Sequence, residues 1–141
     1  MYSSTTNIRV RYGETDQMGY LYYGYYALYY ESGRAEAVRA LGFTYRQLEE
    51  LGIFMPVVEL HAQYFRPALY DDLITVKTML KELPEGHTIR FHSELYNEGG
   101  QLLNKGVTTL VFYDPKQKKK VNIHPELLRR LQPFFTKDSH E

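Results

Sequence analysis

Residues 11–34 read RYGETDQMGYLYYGYYALYYESGR, and no other part of the chain says as much about its structure. Seven of the 14 tyrosines in the chain lie between Tyr20 and Tyr30, and almost no charge interrupts them before Glu31. A helix that is aromatic nearly all round is usually a buried one. The stretch therefore predicts a long internal helix from about Tyr23 to Leu41, with an acidic, glycine-bearing turn at residues 13–19 just before it.

One face of this predicted helix is defined by residues that recur at steps of four and three. They are Tyr26, Tyr30, Gly33, Ala37 and Ala40. Glu31 and Arg34 stand three residues apart and are expected to pair with each other. Gly42 ends the helix. Residues 44–47 then have the spacing of a capping box, which predicts a short second helix that ends near Gly52.

The remaining elements are predicted to be strands, because their apolar residues alternate with polar ones. One strand precedes the helix near residues 7–12, and four follow it at about 53–65, 74–80, 89–95 and 103–113. Connections of hairpin length, such as residues 97–100, favour an antiparallel sheet. The order of elements predicts an α+β fold with one long helix against this sheet. A short helix at residues 126–131 closes the chain, and the polar tail after Phe135 is expected to fray.

The strand at residues 57–65 is apolar enough to be a hazard if it forms a bare sheet edge. Pairing with the same strand of a second copy would cover that edge and give a two-fold dimer.

Length and composition narrow the class of protein. The chain has 141 residues, which suits a single domain spanning residues 1–141. Its 17 basic and 17 acidic residues balance, so composition gives no support to a nucleic-acid partner. There is no cysteine, which excludes disulfides and thiolate chemistry. No apolar run is long enough to span a membrane and no secretory signal is visible, so a cytoplasmic location is expected.

Several familiar catalytic motifs are missing from the sequence. It contains no Gly-x-Ser-x-Gly elbow, no phosphate loop and no Gly-x-Gly-x-x-Gly run after a strand. Its five histidines lack the paired spacing of a metal site, so neither a metal nor another cofactor is expected. Hydrolytic chemistry must then depend on carboxylates, main-chain donors and water.

Asp16 is the leading candidate for such chemistry, because it lies a few residues before the predicted helix. The first turn of a helix has unpaired N–H groups and a partial positive charge, which would stabilise the oxyanion of an acyl group docked there. Gly19 and Gly24 permit close approach of the backbone. The alternative is an ordinary turn or capping aspartate. Glu14 and Glu31 are weaker candidates.

Two motifs carry a resemblance to a known family. The first is Thr15-Asp16-x-x-Gly19-x-x-Tyr22-x-x-x-Tyr26-x-x-x-Tyr30-Glu31-x-x-Arg34. The second is Phe65-Arg66-Pro67-Ala68 followed by Asp71-Asp72-Leu73. Together they resemble the hotdog-fold acyl-CoA thioesterases of the 4-hydroxybenzoyl-CoA type, and the similarity extends from about Asn7 to Phe112.

The resemblance implies a central helix wrapped by a five-stranded antiparallel sheet, and dimers or tetramers with the site at a subunit interface. It implies hydrolysis of an acyl-CoA, with Asp16 as nucleophile or general base. The oxyanion donors would be main-chain N–H groups at Tyr23 and Gly24, with Gly19 nearby. Many bacterial members have histidine where this chain has Tyr23. A tyrosine, with a pKa near 10, is not a proton carrier at neutral pH, so Tyr23 is expected to contribute its main chain.

Basic residues offer weaker candidates for contacts with coenzyme A: Arg66, Arg90, Lys118 and Lys119. Surface ion pairs or a solvated loop tip are the alternative reading of these residues. Two other functions also stay open. One is hydrolysis of acyl groups carried by acyl carrier protein, and the other is a non-catalytic acyl-binding or scaffold protein.

Overall fold

The computed structural model describes residues 1–136, which form a five-stranded sheet, a short two-stranded ribbon and three α-helices. The sheet strands are β1 (Tyr2–Arg9), β2 (Val57–Tyr64), β3 (Leu73–Leu80), β4 (Thr88–Tyr96) and β5 (Leu102–Val111). The ribbon strands are β6 (Tyr113–Asp114) and β7 (Lys119–Lys120). The helices are α1 (Tyr26–Ala40), α2 (Tyr45–Glu50) and α3 (Pro125–Thr136), and a 3-10 turn, Tyr23–Tyr25, leads into α1.

The sheet is antiparallel throughout, in the order β1-β3-β4-β5-β2. The predicted α+β arrangement of a long helix on a five-stranded antiparallel sheet is confirmed. The last predicted strand is shorter than expected, because β5 ends at Val111, opposite the first residue of β4, Thr88. Tyr113 instead bridges to Phe54 and begins the ribbon. The last helix is longer than the predicted 126–131, because α3 runs from Pro125 to Thr136, so the predicted tail began one residue too early. The rest of that tail, residues 137–141, lies outside the described residues.

Helix α1 lies close to the sheet because a row of small residues crosses all five strands beneath it. In strand order, and as successive register partners, these are Ser4, Thr78, Ser93, Gly106 and Ala62. Gly33 of the helix sits above Thr78, and an added Cβ there would lie only 2.7 Å from Cγ1 of Val76. The ring of Tyr30 occupies the space above Gly106. Larger side chains at these positions would push the two layers apart.

The exposure of α1 differs in part from the prediction of a helix buried all round. Tyr26, Tyr29 and Tyr30 are buried, but Tyr22 and Tyr23 before the helix and Leu28 within it are exposed. The predicted inner face is confirmed except at Ala40, the last helical residue, which is exposed. The physical reason is that α1 lies over β1 and β3 and covers little of β2. A single sheet covers only one side of a helix.

Strand β2 forms one edge of the sheet, which is the position in which its apolar sequence is a hazard. Leu60, Ala62 and Tyr64 point to the same face as α1. Leu60 and Tyr64 are nevertheless exposed, because α1 lies mainly over β1 and β3 and meets this strand only where the ring of Tyr26 touches that of Tyr64. The apolar edge of β2 is therefore bare in the single chain.

A buried carboxylate anchors the start of α1 to the preceding turn. Oε1 of Glu14 accepts hydrogen bonds from the Tyr29 hydroxyl at 2.8 Å and the Arg11 main-chain N–H at 3.0 Å. The Arg11 guanidinium lies 3.3 Å from Oε2. Burial alone would raise the pKa of the Glu14 carboxyl, but these hydrogen bonds and the Arg11 charge hold it below its ordinary value. Glu14 is thus a structural group in this fold.

Replacing Glu14 with glutamine should remove a pH-dependent part of the stability. A carboxyl whose pKa is lower in the folded state stabilises the protein above its unfolded pKa of about 4.3, and this stabilisation is lost as pH falls through the folded pKa. Urea unfolding should show that Glu14→Gln costs about 1–3 kcal/mol at pH 7, and that the difference from wild type shrinks below about pH 4.

The matched control is Glu50→Gln, since Glu50 is exposed and makes only a surface ion pair with Arg46. It should change the free energy of unfolding by less than about 0.5 kcal/mol at every pH. A constant difference between wild type and Glu14→Gln across this pH range would contradict the prediction.

Replacing Gly106 with alanine should also destabilise the fold. The new Cβ would overlap the ring of Tyr30, which is fully buried and donates a hydrogen bond to Oδ1 of Asn104. We expect a loss of about 1–3 kcal/mol in denaturant unfolding, the usual cost of overpacking a core. Gly99→Ala is the control, because a Cβ there meets only an ordinary contact 3.5 Å from Asn97. Equal stability of the two variants would show that the layers are not in tight contact.

Candidate active site

Asp16 lies at the tip of a tight turn that leads into α1. Thr15 bridges to Leu21 across the turn, and the Asp16 N–H donates to the Tyr20 carbonyl at 2.9 Å. Gly19 closes the turn by donating to the Asp16 carbonyl at 3.0 Å, and its φ of +77° is a conformation that favours glycine. Gly19 thus shapes the turn that positions Asp16.

The two oxygens of the Asp16 carboxylate have different surroundings. Oδ1 accepts hydrogen bonds from the main-chain N–H groups of Met18 at 2.9 Å and Tyr20 at 3.2 Å. Oδ2 has no hydrogen-bond donor within residues 1–136. The turn therefore holds the carboxylate by one oxygen and leaves the other available to a ligand.

The start of the helix adjoins this turn. Tyr22 has an extended backbone, with φ −60° and ψ 134°, and its N–H donates to the Glu14 carbonyl at 2.9 Å. The N–H groups of Tyr23 and Gly24 follow, and no residue of the described part of the chain accepts from either of them. These are the unpaired donors expected at the first turn of a helix. Gly24 also leaves room for the Tyr22 ring, since a Cβ there would lie 2.9 Å from Cε2 of that ring.

An open hollow of about 310 Å³ joins Asp16 and Tyr23 to strand β2, and Gly24 lies next to it without lining it. Its lining is mainly aromatic and apolar, with a carboxylate and a guanidinium at the rim. The lining residues are Asp16, Tyr20, Leu21, Tyr23, Tyr26, Tyr64, Phe65, Arg66 and Pro67. A concave apolar site with a few polar groups is the usual form of a small-molecule site.

The ring of Tyr26 forms the buried wall of the hollow. It is 3% exposed, and its hydroxyl accepts a hydrogen bond from the Ala68 N–H at 3.4 Å. Burial raises the pKa of Tyr26 above its ordinary value, although that hydrogen bond opposes the change, and the nearby Tyr64 and Asp16 raise the pKa further. Tyr26 thus stays a neutral phenol at neutral pH.

The three candidates for a catalytic carboxylate have different surroundings in the structure. Asp16 lines the hollow, whereas Glu14 is buried and satisfied on the side of α1 that faces Tyr29. Glu31 is exposed on α1. Its expected pairing with Arg34 is wrong, because Arg34 turns inward, is 6% exposed and lies 3.4 Å from Oγ1 of Thr108. Of these carboxylates, Asp16 alone combines access to a hollow with nearby main-chain donors.

The four basic residues considered for contacts with coenzyme A lie in different parts of the structure. Arg66 lines the hollow. Arg90 lies on β4, with its Nε 3.3 Å from Oγ1 of Thr109, and lines a different hollow. Lys118 and Lys119 belong to the ribbon segment beyond the Val57 end of β2, while the Asp16 hollow lies at the Tyr64 end. Over eight strand residues these ends are about 23 Å apart.

Sequence reasoning missed several aromatic wall residues, chiefly Tyr20, Tyr64 and Phe65. Their signal was present, since Phe65-Arg66-Pro67 was part of the second motif and Tyr64 precedes it directly. What the linear sequence lacked was the bridge from Tyr20 to Leu69, which brings that motif beside the Asp16 turn.

Two other features bear on function. No group of three or more metal-ligating side chains occurs within residues 1–136. The helices in this part of the chain are also too short or too polar to cross a membrane.

Comparisons with known proteins show the family to which the chain belongs. Residues 10–131 match the sequence profile of the thioesterase-like superfamily. A protein of Bacillus subtilis (strain 168) described as putative acyl-CoA thioesterase YneP is 32% identical, over 86% of this chain and 87% of its own. Among solved structures, a DHNA-CoA thioesterase from Staphylococcus aureus is 29% identical and has a TM-score of 0.91, covering 99% of this chain and 95% of its own.

A third similarity concerns the fold alone. A 4-hydroxybenzoyl CoA thioesterase mutant, solved in complex with 4-hydroxybenzoyl CoA, is 21% identical with a TM-score of 0.81, covering 92% of this chain and 99% of its own. The resemblance noted in the sequence is therefore confirmed, as is the hotdog fold. The chain belongs to the thioesterase-like superfamily, and its predicted class, a thioester hydrolase, is confirmed.

Proposed function

We propose that this chain hydrolyses an acyl-CoA thioester to the free acid and coenzyme A, with Asp16 as nucleophile or general base. One observation carries the proposal: a carboxylate held through Oδ1 has its Oδ2 free in an apolar hollow at the start of α1. The names of the relative from Bacillus subtilis and of the structure from Staphylococcus aureus support the choice of an acyl-CoA.

In this mechanism the thioester carbonyl docks at the helix start. The N–H groups of Tyr23 and Gly24 donate to its oxygen as negative charge develops there, an effect worth about 10²–10³ in rate per donor. Oδ2 of Asp16 either attacks the carbonyl carbon or takes a proton from an attacking water. If Asp16 attacks, the C–S bond breaks as an acyl–Asp16 anhydride forms, the thiolate takes a proton from solvent, and water then hydrolyses the anhydride to the free acid and the Asp16 carboxylate. If Asp16 acts as a base, the water oxygen adds to the carbonyl carbon, the C–S bond breaks, and the proton held by Asp16 passes to the thiolate. No metal or redox cofactor has a role in these steps.

Tyr23 contributes its main chain in this proposal. Its side chain is 67% exposed and its ring lies against Tyr22, with the ring centroids 4.7 Å apart. The ring thus lies at the rim of the hollow, where it helps to keep water from the bound thioester.

We further propose that a second copy completes the site by pairing along β2. The bare apolar edge supports this, because a bare edge of this kind favours pairing with another strand. Two-fold antiparallel pairing would place the partner's Val57 end beside this chain's Tyr64 end. Lys118 and Lys119, which lie far from Asp16 in their own chain, would then approach the mouth of the hollow in the other chain. Arg90 would not, because its register partners Thr109 and Glu59 lie on the face of the sheet away from the helix.

The first test is Asp16→Asn, with release of thiol from a panel of acyl-CoAs as the measurement. We expect kcat/KM to fall at least about a hundredfold, because asparagine neither attacks the carbonyl nor accepts a proton from water. Asp71→Asn is the matched control. Asp71 is exposed, lies outside the hollow, and has a φ of 68° that asparagine also adopts readily.

Equal activity of folded Asp16→Asn and wild type would remove Asp16 from the chemistry. Turnover only with acyl groups on acyl carrier protein would favour the carrier-linked substrate. Saturable binding without turnover would favour an acyl-binding protein.

The second test concerns the nucleotide part of the substrate. Arg66→Ala should raise KM for an acyl-CoA about tenfold, since a charge-assisted contact to phosphate is lost. It should leave KM for the corresponding acyl-pantetheine, which lacks the nucleotide, almost unchanged. Arg46→Ala is the control, because Arg46 pairs with Glu50 on α2. An equal rise in KM for both substrates would show that Arg66 acts on the acyl side.

A further inference from the structure

Tyr64 stands between the hollow and the rest of strand β2. It is the last residue of the strand, and its ring meets Tyr26 edge-on, with ring centroids 5.0 Å apart and planes at 89°. Its hydroxyl lies 3.5 Å from the Tyr23 carbonyl. The side chain therefore spans the gap from the sheet edge to the start of the helix.

An apolar track continues on the far side of this ring. Ala62 and Leu60 point to the same face of β2 as Tyr64, while the polar Gln63 and His61 point to the other face. Helix α1 lies mainly over β1 and β3, so it leaves Leu60 exposed, while Ala62 is half-buried against the core. A second copy paired along β2 would bind its main-chain groups in the plane of the sheet, and would leave the inner face free.

The other walls of the hollow near Tyr64 are fixed. Tyr26 is buried and hydrogen-bonded to the Ala68 N–H. Tyr30 behind it is fully buried and bonded to Asn104. Tyr64 is different, since it is 51% exposed on an edge strand. Of these three rings, only that of Tyr64 is removable without opening the core.

We propose that Tyr64 sets the length limit of the acyl group, so that the wild-type site takes a compact acyl chain. At about 310 Å³ the hollow is at the lower end of the range for small-molecule sites. Tyr64 closes it toward Ala62 and Leu60, and its removal joins the hollow to the track. This inference rests on the proposed acyl-CoA substrate, but concerns the shape of the site and not the chemistry.

The experiment compares wild type, Tyr64→Ala and Tyr64→Phe with butanoyl-, octanoyl- and dodecanoyl-CoA. In Tyr64→Ala the ratio of kcat/KM for dodecanoyl-CoA to that for butanoyl-CoA should rise at least about tenfold, because several methylenes gain an apolar site. Tyr64→Phe keeps the ring and should retain the wild-type ratio. Tyr70→Ala is a second control, since Tyr70 is an exposed tyrosine outside the hollow.

A parallel binding series separates this inference from the hydrolytic function. Butyl- and dodecyl-CoA thioethers cannot be hydrolysed, and calorimetry gives their Kd for each variant. Preference for the dodecyl thioether should likewise rise at least about tenfold in Tyr64→Ala. If it does so without turnover of any acyl-CoA, the length limit stands and the proposed hydrolysis is overturned. If turnover occurs but neither ratio moves in Tyr64→Ala, the length limit is overturned and the hydrolysis stands.

Discussion

The close contact between α1 and the sheet determines where the turn, the helix start and the strand ends lie relative to one another. Gly33 rests on Thr78 and Val76, and Tyr30 rests on Gly106. Both contacts leave no room for an extra carbon. They therefore fix where α1 lies on the sheet, both along the strands and across them. The start of the helix is consequently held at one place beside the Tyr64 end of β2, where the Asp16 turn and the residues after Tyr64 meet.

The turn is fixed to the helix by a second set of contacts. Glu14 joins Arg11 to the Tyr29 hydroxyl, and the Glu14 carbonyl accepts from the Tyr22 N–H. One residue thus holds both the turn before Asp16 and the first turn of the helix. The carboxylate and the main-chain donors are therefore parts of one rigid unit, which is what stabilisation of a developing charge requires.

Much of the fold was predictable because its signals are local. These signals depend only on neighbours in sequence. They are the residues that recur at steps of four and three in α1, the alternation of apolar and polar residues in the strands, and the hairpin at residues 97–100. The exposure of Leu28 and the inward turn of Arg34 were not predictable, because they depend on which strands the helix covers. The same holds for the site. Asp16 and Tyr23 follow from a motif, whereas the approach of Tyr64 depends on long-range pairing of β2 with β5.

The alternation along β2 also has a consequence for symmetry. Even-numbered residues from Leu60 to Tyr64 face the helix side of the sheet, and the odd-numbered ones between them face away. Directly opposed residues in an antiparallel pair lie on the same face. If a residue and its counterpart in a second copy have numbers that sum to an even value, both helices lie on one side of a continuous ten-stranded sheet. A two-fold axis that pairs β2 with its copy stands normal to the sheet, so it keeps even-numbered side chains of both copies on one face and excludes an odd sum. A dimer of this kind would therefore have both helices, and both Asp16 turns, on the same side of the joint sheet.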